Sequence, residues 1–289
     1  MPSFVPERRL IQFSTEQAAP SADFRQIWSD GTSLDVLRSV DQTAQHFRLR
    51  FWGNFSLDVD CERGTVTDSS SSPITVATLR HLVDDLIAPR MIAHDGEFVV
   101  HAGAVRVADE AFLFLGEAGR GKSTLTAGFD RAGYPLIGDD AVILTTIADC
   151  GHAEAIYPSL RLMPDSIAAL LPAVTPSEPM SEFSSKQRVL GTRPTHEPLP
   201  VGCIFVLAPP SVDSTISFRR LTQAEACMAL VANSFALDPT DPQRARARLA
   251  DASALACRVP VFEVSYSRDY ARLPELVQQI VDQAMDVAA

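Results

Sequence analysis

The chain reads as an α/β protein: a phosphate-binding-loop domain with a mixed sheet, preceded by a small N-terminal domain that is mainly β. Three observations predict this. The run Gly116-Glu117-Ala118-Gly119-Arg120-Gly121-Lys122-Ser123 fits the pattern G-x-x-x-x-G-K-[ST]. It lies between an apolar, strand-like stretch at 111–115 (Ala-Phe-Leu-Phe-Leu) and a helical stretch, Lys122–Ala132, that stops at Gly133. Upstream, residues 22–66 carry short alternating segments such as Phe47-Arg48-Leu49-Arg50-Phe51 and Phe55-Ser56-Leu57-Asp58-Val59, broken at Gly53-Asn54 and ended near Arg63-Gly64, as a small antiparallel sheet requires.

Taken in order, the serine-rich break at 67–73 leads into residues 74–93, where Leu79, Leu82, Val83, Leu86 and Ile87 recur with helical spacing. The domain junction falls there, giving a small N-terminal α+β domain over 1–92 and the phosphate-loop domain over 93–289. Residues 98–107 and 111–115 form an antiparallel hairpin around Ala108-Asp109-Glu110, which would feed the loop and bring His101 back towards it. Residues 134–144 are a strand-like run interrupted by the adjacent carboxylates Asp139 and Asp140. Residues 172–200 contain six prolines and read as a long surface excursion enclosing Lys186, Arg188 and Arg193. Further strands are expected at 201–208, 217–220 and 261–266, with helices at 223–234, 242–252 and 273–285.

Composition narrows the class. The chain has 289 residues, 46% of them hydrophobic and 21% charged, as an ordinary folded protein does. A net charge of −11 argues against general nucleic-acid binding, because a phosphate backbone would be repelled by most of this surface. Any anionic substrate must therefore meet local positive charge. The five cysteines are scattered, with no C-x-x-C pair, which suits a reducing compartment and buried, apolar cysteines. No apolar run reaches the length of a membrane span and the N-terminus lacks a secretory pattern, so a cytoplasmic protein without membrane contact is expected. A homo-oligomer is compatible with all of this.

The loop explains its own residue types. Glycines allow left-handed turns and close backbone approach, the helix N-terminus points N–H groups at an anion, Lys122 adds a mobile charge, and the Ser123 hydroxyl is a Mg²⁺ ligand. Phosphoryl transfer also needs a metal-binding carboxylate and a group that takes the proton of the attacking hydroxyl, and Asp139 and Asp140 can fill both roles. Adjacent strand residues point to opposite faces, so both can face the loop only if the chain bends, as Gly138 would permit. The plainer alternative is a turn or helix-cap pair. His101, 15 residues before Gly116, either orients a catalytic aspartate or packs. Arg161, Lys186, Arg188 and Arg193 are candidates for gripping phosphate or an anionic peptide terminus, against the alternative of solvated charge, whereas Arg244, Arg246 and Arg248 read as a solvated helix face.

His101, the 15-residue interval, the loop of 116–123, its helix and Gly138-Asp139-Asp140 together resemble the catalytic domain of bacterial HPr serine kinase/phosphorylase, a family related in fold to phosphoenolpyruvate carboxykinase. The resemblance is strong over about residues 98–145. It implies an ATP- and Mg²⁺-dependent kinase acting on a serine hydroxyl of a peptide or small protein. Gly116, Glu117, Ala118, Gly119, Arg120, Gly121, Lys122, Ser123 and Thr124 would bind nucleotide, with Lys122 on the transferred phosphate. Ser123 and Asp139 would hold the metal, Asp140 would accept the proton and His101 would assist it. Arg161, Lys186 and Arg188 would contact substrate phosphate. A Glu-x-Arg-Gly segment, tied in that family to phosphorylase activity, is absent from this sequence. The layout of residues 79–105, 157–165 and 199–204 is similar to shorter relatives, including lasso-peptide kinases that phosphorylate a C-terminal serine of a precursor peptide. Two other readings share the motif: a nucleotide-responsive binding module without phosphoryl transfer, and a kinase of a small hydroxyl metabolite.

Overall fold

In this computed structural model the described residues are 12–14, 23–31, 34–39, 45–147, 150–190, 197–211 and 215–288; Arg193 lies outside them. The chain divides into two compact units, Met1–Gly96 with Ala236–Ala247, and Glu97–Phe235 with Arg248–Ala289. Among the described residues, no helix is long and apolar enough to cross a membrane.

The first unit is a six-stranded sheet with a helical segment. Its strands are β1 (Gln12–Ser14), β2 (Phe24–Ser29), β3 (Leu34–Ser39), β4 (His46–Phe51), β5 (Phe55–Asp60) and β6 (Thr65–Asp68), in the order β1-β6-β5-β4-β3-β2. All neighbours are antiparallel except β1 and β6. Strict alternation decides the buried face: Phe47, Leu49, Leu57 and Val59 are buried, while Arg48 bridges across the other face to Asp58. Helix α1 (Val76–His81) starts at Thr75, whose side chain accepts from Thr78 N–H. It continues through a π-helical turn (Leu82–Ile87) into α2 (Ala88–His94), and Leu82, Ile87 and Met91 pack on the sheet.

The second unit begins with β7 (Phe98–Val100), β8 (Gly103–Val107) and β9 (Glu110–Leu115), then α3 (Lys122–Ala132), β10 (Leu136–Gly138), β11 (Val142–Ile147), β12 (Cys150–Ala155) and β13 (Ser159–Leu162). Next come α4 (Pro164–Leu170), β14 (Ser177–Ser181), β15 (Ser184–Leu190), β16 (Leu199–Leu207), β17 (Ser217–Arg220) and α5 (Gln223–Ala232). Helix α6 (Pro242–Ala256), in which the division between units falls, precedes β18 (Val261–Ser265) and α7 (Leu273–Ala288). The main sheet runs β10-β8-β9-β16-β12-β11-β7, with β18 joined to β16 and β17 to β18. It is mixed: β9, β16 and β18 are parallel, and the other pairs are antiparallel.

Strand β9 is buried on both faces, and its alternation sorts the core into two layers. Phe112 and Phe114 pack with Phe129, Phe205 and Leu276, while Ala111, Leu113 and Leu115 pack with Ile204, Leu230 and Leu255. The expected hairpin across Ala108 and Asp109 joins β8 to β9, and α3 occupies the expected span, ended by Gly133 at φ 99°.

Four expectations change. The run 98–107 is not one strand: it breaks at His101 and Ala102, so that β7 lies at one end of the sheet and β8 near the other. Residues 134–144 likewise split into β10 and β11, with Asp139 and Asp140 in the crossing between them. The proline-rich stretch, read as an excursion, contains β14 and β15, which form a three-stranded sheet with β13 in the order β13-β15-β14. Pro176 and Pro198 stand just before β14 and β16, and Pro179 sits at an irregular step of β14, where a missing N–H costs little. Finally, Cys61 and Cys203 are buried but Cys150 and Cys257 are exposed, and Arg244 and Arg248 are partly buried, with Arg244 donating to the His94 carbonyl and paired with Asp241.

Candidate active site

Because β9, β16 and β18 are parallel, their C-terminal ends open on one side of the sheet, which is where α/β domains place ligands. The loop 116–121 leaves β9 there and turns directly into α3. Gly121, at φ 99°, is the residue before the first helical turn; a side chain would be strained there, and its Cβ would meet the Tyr266 hydroxyl at 2.7 Å. Within the loop, Glu117 and Arg120 form an ion pair, and Arg120 N–H donates to the Glu117 carbonyl. Lys122 is 5% exposed and its Nζ donates to the carbonyls of Gly116 and Glu117. Burial lowers its pKa, and the charges of Asp140 and Asp139 oppose that shift.

The carboxylates come from the crossing that follows β10. Gly138 is required by close approach: a Cβ there would meet the Cβ of Ala155 at 2.4 Å. The bend expected at Gly138 lies instead at Asp140, whose φ of 78° is left-handed, a conformation aspartate tolerates better than most residues. That bend turns the two neighbours to different partners. Asp139, 1% exposed, accepts from the Ser123 hydroxyl at 3.1 Å and from Arg161 N–H at 3.0 Å. Asp140 lines the cavity in front of the loop, and its Oδ1 lies 3.1 Å from His101 Nε2. An ionised carboxylate only accepts, so Nε2 is the donor.

Register explains why His101 is there. Val100 pairs with Val142 across β7 and β11, so the next residue of each chain, running in opposite directions, returns to the Asp140 turn. Pairing of β7 with β11, not the hairpin into the loop, brings histidine and aspartate together. Asn233, in the turn that ends α5, ties this arrangement to the loop: its carbonyl accepts from His101 N–H at 2.7 Å and its side-chain oxygen accepts from Gly116 N–H at 3.1 Å.

Arg161 on β13 is 1% exposed. Its guanidinium pairs with Asp140 at 3.3 Å and donates to the carbonyls of Asp139 and Ser159, both at 2.7 Å. It thus holds the aspartate turn, and it also lines the cavity. Burial and the charge of Asp140 raise the pKa of Asp139, against Arg161 and Lys186. Burial would raise Asp140 also, but the His101 hydrogen bond and charge, with Arg161 and Lys186, hold its carboxyl well below the ordinary range. Lys186 on β15 lines the cavity; Arg188, paired across the strands with Arg161, is not among the described residues that line it.

The cavity measures about 390 Å³, the size of a small-molecule site, and is lined also by Gly119, Thr124, Met163, Ile216 and Leu276. Its far wall is the segment 266–273, for which the sequence carries no local motif. Tyr266 donates from its hydroxyl to the Arg120 carbonyl at 3.1 Å, and Tyr270 donates to Asp165 at 3.0 Å. Asn233 and Tyr266, unremarked in the sequence, are the two side chains from distant elements that brace the loop.

No protein-family model matches the chain, and no curated protein matches it. Among solved structures, the chain is similar to the structure of the Hpr(Ser) kinase/phosphatase from Coxiella burnetii, with 12% identity and a TM-score of 0.38 over 66% of this chain and 99% of that chain.

The Asn233 brace has a measurable strength. Asn233→Ala leaves the buried Gly116 N–H without its acceptor and is expected to destabilise the second unit by about 1–3 kcal/mol. Asn233→Asp keeps an acceptor for Gly116 N–H but loses the amide donor to the Ala229 carbonyl and should recover only part of the loss, as thermal denaturation of the two variants would show.

Proposed function

We propose that this chain is an ATP-dependent kinase that transfers the γ-phosphate to a serine hydroxyl of a peptide or small protein. One observation carries the reading: a buried Lys122 and the Asp140–His101 pair line a single cavity in front of a phosphate-binding loop, with an oxygen pair, Ser123 and Asp139, beside it. The cradle fits a polyphosphate, since Gly119 at φ 78° leaves open space where a side chain would stand and the first N–H groups of α3 have no partner within the helix. The oxygen pair fits Mg²⁺. Among the described residues no group of three or more His, Cys, Asp or Glu stands ready to hold a metal. A hydroxyl and one carboxylate match an ion that takes its other ligands from phosphates and water and that, when bound, neutralises phosphate charge.

The residues of the chain then divide the work. Loop N–H groups and Lys122 position the phosphates, and Lys122 exchanges its two loop carbonyls for phosphate oxygens. Asp140 accepts a hydrogen bond from the incoming serine hydroxyl and fixes its line of approach. A carboxylate held this low is a weak base, so it takes the proton late, after the oxygen has begun to bond to phosphorus. His101 keeps Asp140 ionised and correctly turned, and Arg161 fixes the backbone that carries it.

The test is transfer itself. The protein, incubated with ATP, Mg²⁺ and serine-bearing peptides, including a precursor peptide ending in serine, should yield a peptide heavier by one phosphate. Lys122→Ala should abolish that product and weaken ATP binding by at least about tenfold. ATP binding without any phosphorylated acceptor across such peptides and small hydroxyl metabolites would overturn the kinase reading.

A further inference from the structure

We propose that Arg268 is a polyphosphate-binding residue of the cavity, supplied by the segment after β18 and aimed at the same nucleotide as Lys122; this rests on the nucleotide reading above. Arg268 is exposed and lines the cavity together with Gly119, Gly121 and Lys122. Among the described residues it makes no hydrogen bond or ion pair. The nearby carboxylates are engaged elsewhere: Asp269 accepts from Ala271 N–H, and Asp165 accepts from the Tyr270 hydroxyl. A guanidinium at a cavity mouth, in a chain of net charge −11, is thus left without an internal acid.

Topology places this residue on the phosphate side. β18 is parallel to β16, which is parallel to β9, so residues 266–268 emerge at the same sheet end as the loop, two strand spacings away. Tyr266 closes that gap, since its hydroxyl reaches the Arg120 carbonyl at 3.1 Å and stands against Gly121. Two residues on, at most about 7 Å of backbone away, the long side chain of Arg268 reaches the space in front of the loop. Its charge is felt by both Tyr266 and Tyr270, lowering each phenol against the stronger effect of burial. A planar guanidinium with a free fork of donors suits bidentate contact to phosphate oxygens. By contrast, the acceptor side of the cavity, around Asp140, already has His101, Arg161 and Lys186.

Calorimetric titration with ATP, ADP and AMP of the wild type, Arg268→Ala and Arg268→Lys tests this. Arg268→Ala is expected to weaken ATP at least tenfold, with a smaller loss for AMP, and Arg268→Lys to recover part of it. Nucleotide-free melting temperatures should coincide, because the side chain makes no internal bond. ATP affinity within twofold of wild type for Arg268→Ala would overturn the assignment. So would unchanged ATP affinity together with a raised KM for the acceptor peptide, which would make Arg268 an acceptor contact. If the wild type binds no ATP, both this assignment and the nucleotide reading fall.

Discussion

Replacing Asp140 with asparagine is expected to slow phosphoryl transfer by about 10²–10⁴-fold while ATP affinity stays within a few-fold of wild type. Asparagine adopts left-handed backbone as readily as aspartate, so the turn at φ 78° persists, and its side-chain oxygen can still accept from His101. What is lost is the negative charge and the place for a proton. The loop, Lys122 and Ser123 are left in position, which is why binding and chemistry separate. Single-turnover transfer and ATP titration of the same preparation, with a melting curve to verify folding, give the three readings. Transfer at the wild-type rate would show that Asp140 does not receive the proton.

Arg161→Met is expected to have the largest effect on stability, about 3–5 kcal/mol at neutral pH. Methionine keeps the volume, but the buried Asp139 and its half-buried neighbour Asp140 then stand adjacent without the guanidinium that offsets them. The loss should depend on pH in a definite direction. Without Arg161 the Asp139 carboxyl, already raised by burial and by the charge of Asp140, loses the guanidinium that opposes that shift, so the folded state holds a proton that the unfolded chain releases. Stability of the variant is then fully present below the ordinary value of 3.8 and declines as pH rises through the raised folded pKa. The gap from wild type should widen between about pH 4 and pH 7, as denaturant midpoints at each pH would reveal. Adding Asp140→Asn removes one of the two charges and should return part of the stability. A gap independent of pH would mean that Arg161 acts through packing alone.

What was legible in the sequence was local. The loop, the helix that follows it and the Gly133 stop all lie within about one supersecondary unit, where glycine positions and helical spacing suffice. The carboxylate pair was visible as an anomaly in an apolar run. Its geometry was not, because the decisive dihedral belongs to Asp140 and Gly138 offered the more obvious hinge. His101 and Asp140 are 39 positions apart and meet through a β7–β11 pairing that no periodicity specifies. Arg161 reads as a candidate for gripping phosphate or an anionic terminus; its burial against the aspartate turn follows from β13 passing over that turn. Asn233, Tyr266 and Arg268 carry no motif, since each acts through a single contact or position set by long-range topology.

The loop is held in shape by the protein's own groups. Lys122 grips its carbonyls, Glu117 and Arg120 close it, Tyr266 supports it from β18 and Asn233 anchors its first N–H. If the proposed function holds, capture of a nucleotide should be an exchange of partners, not an ordering of chain. Association should proceed in a single kinetic phase, without the slow step that a conformational change imposes. The heat-capacity change should be small, because little backbone leaves water. On that reading, the release of Lys122 from the carbonyls of Gly116 and Glu117 would be an internal cost of binding, offset by a phosphate taking their place.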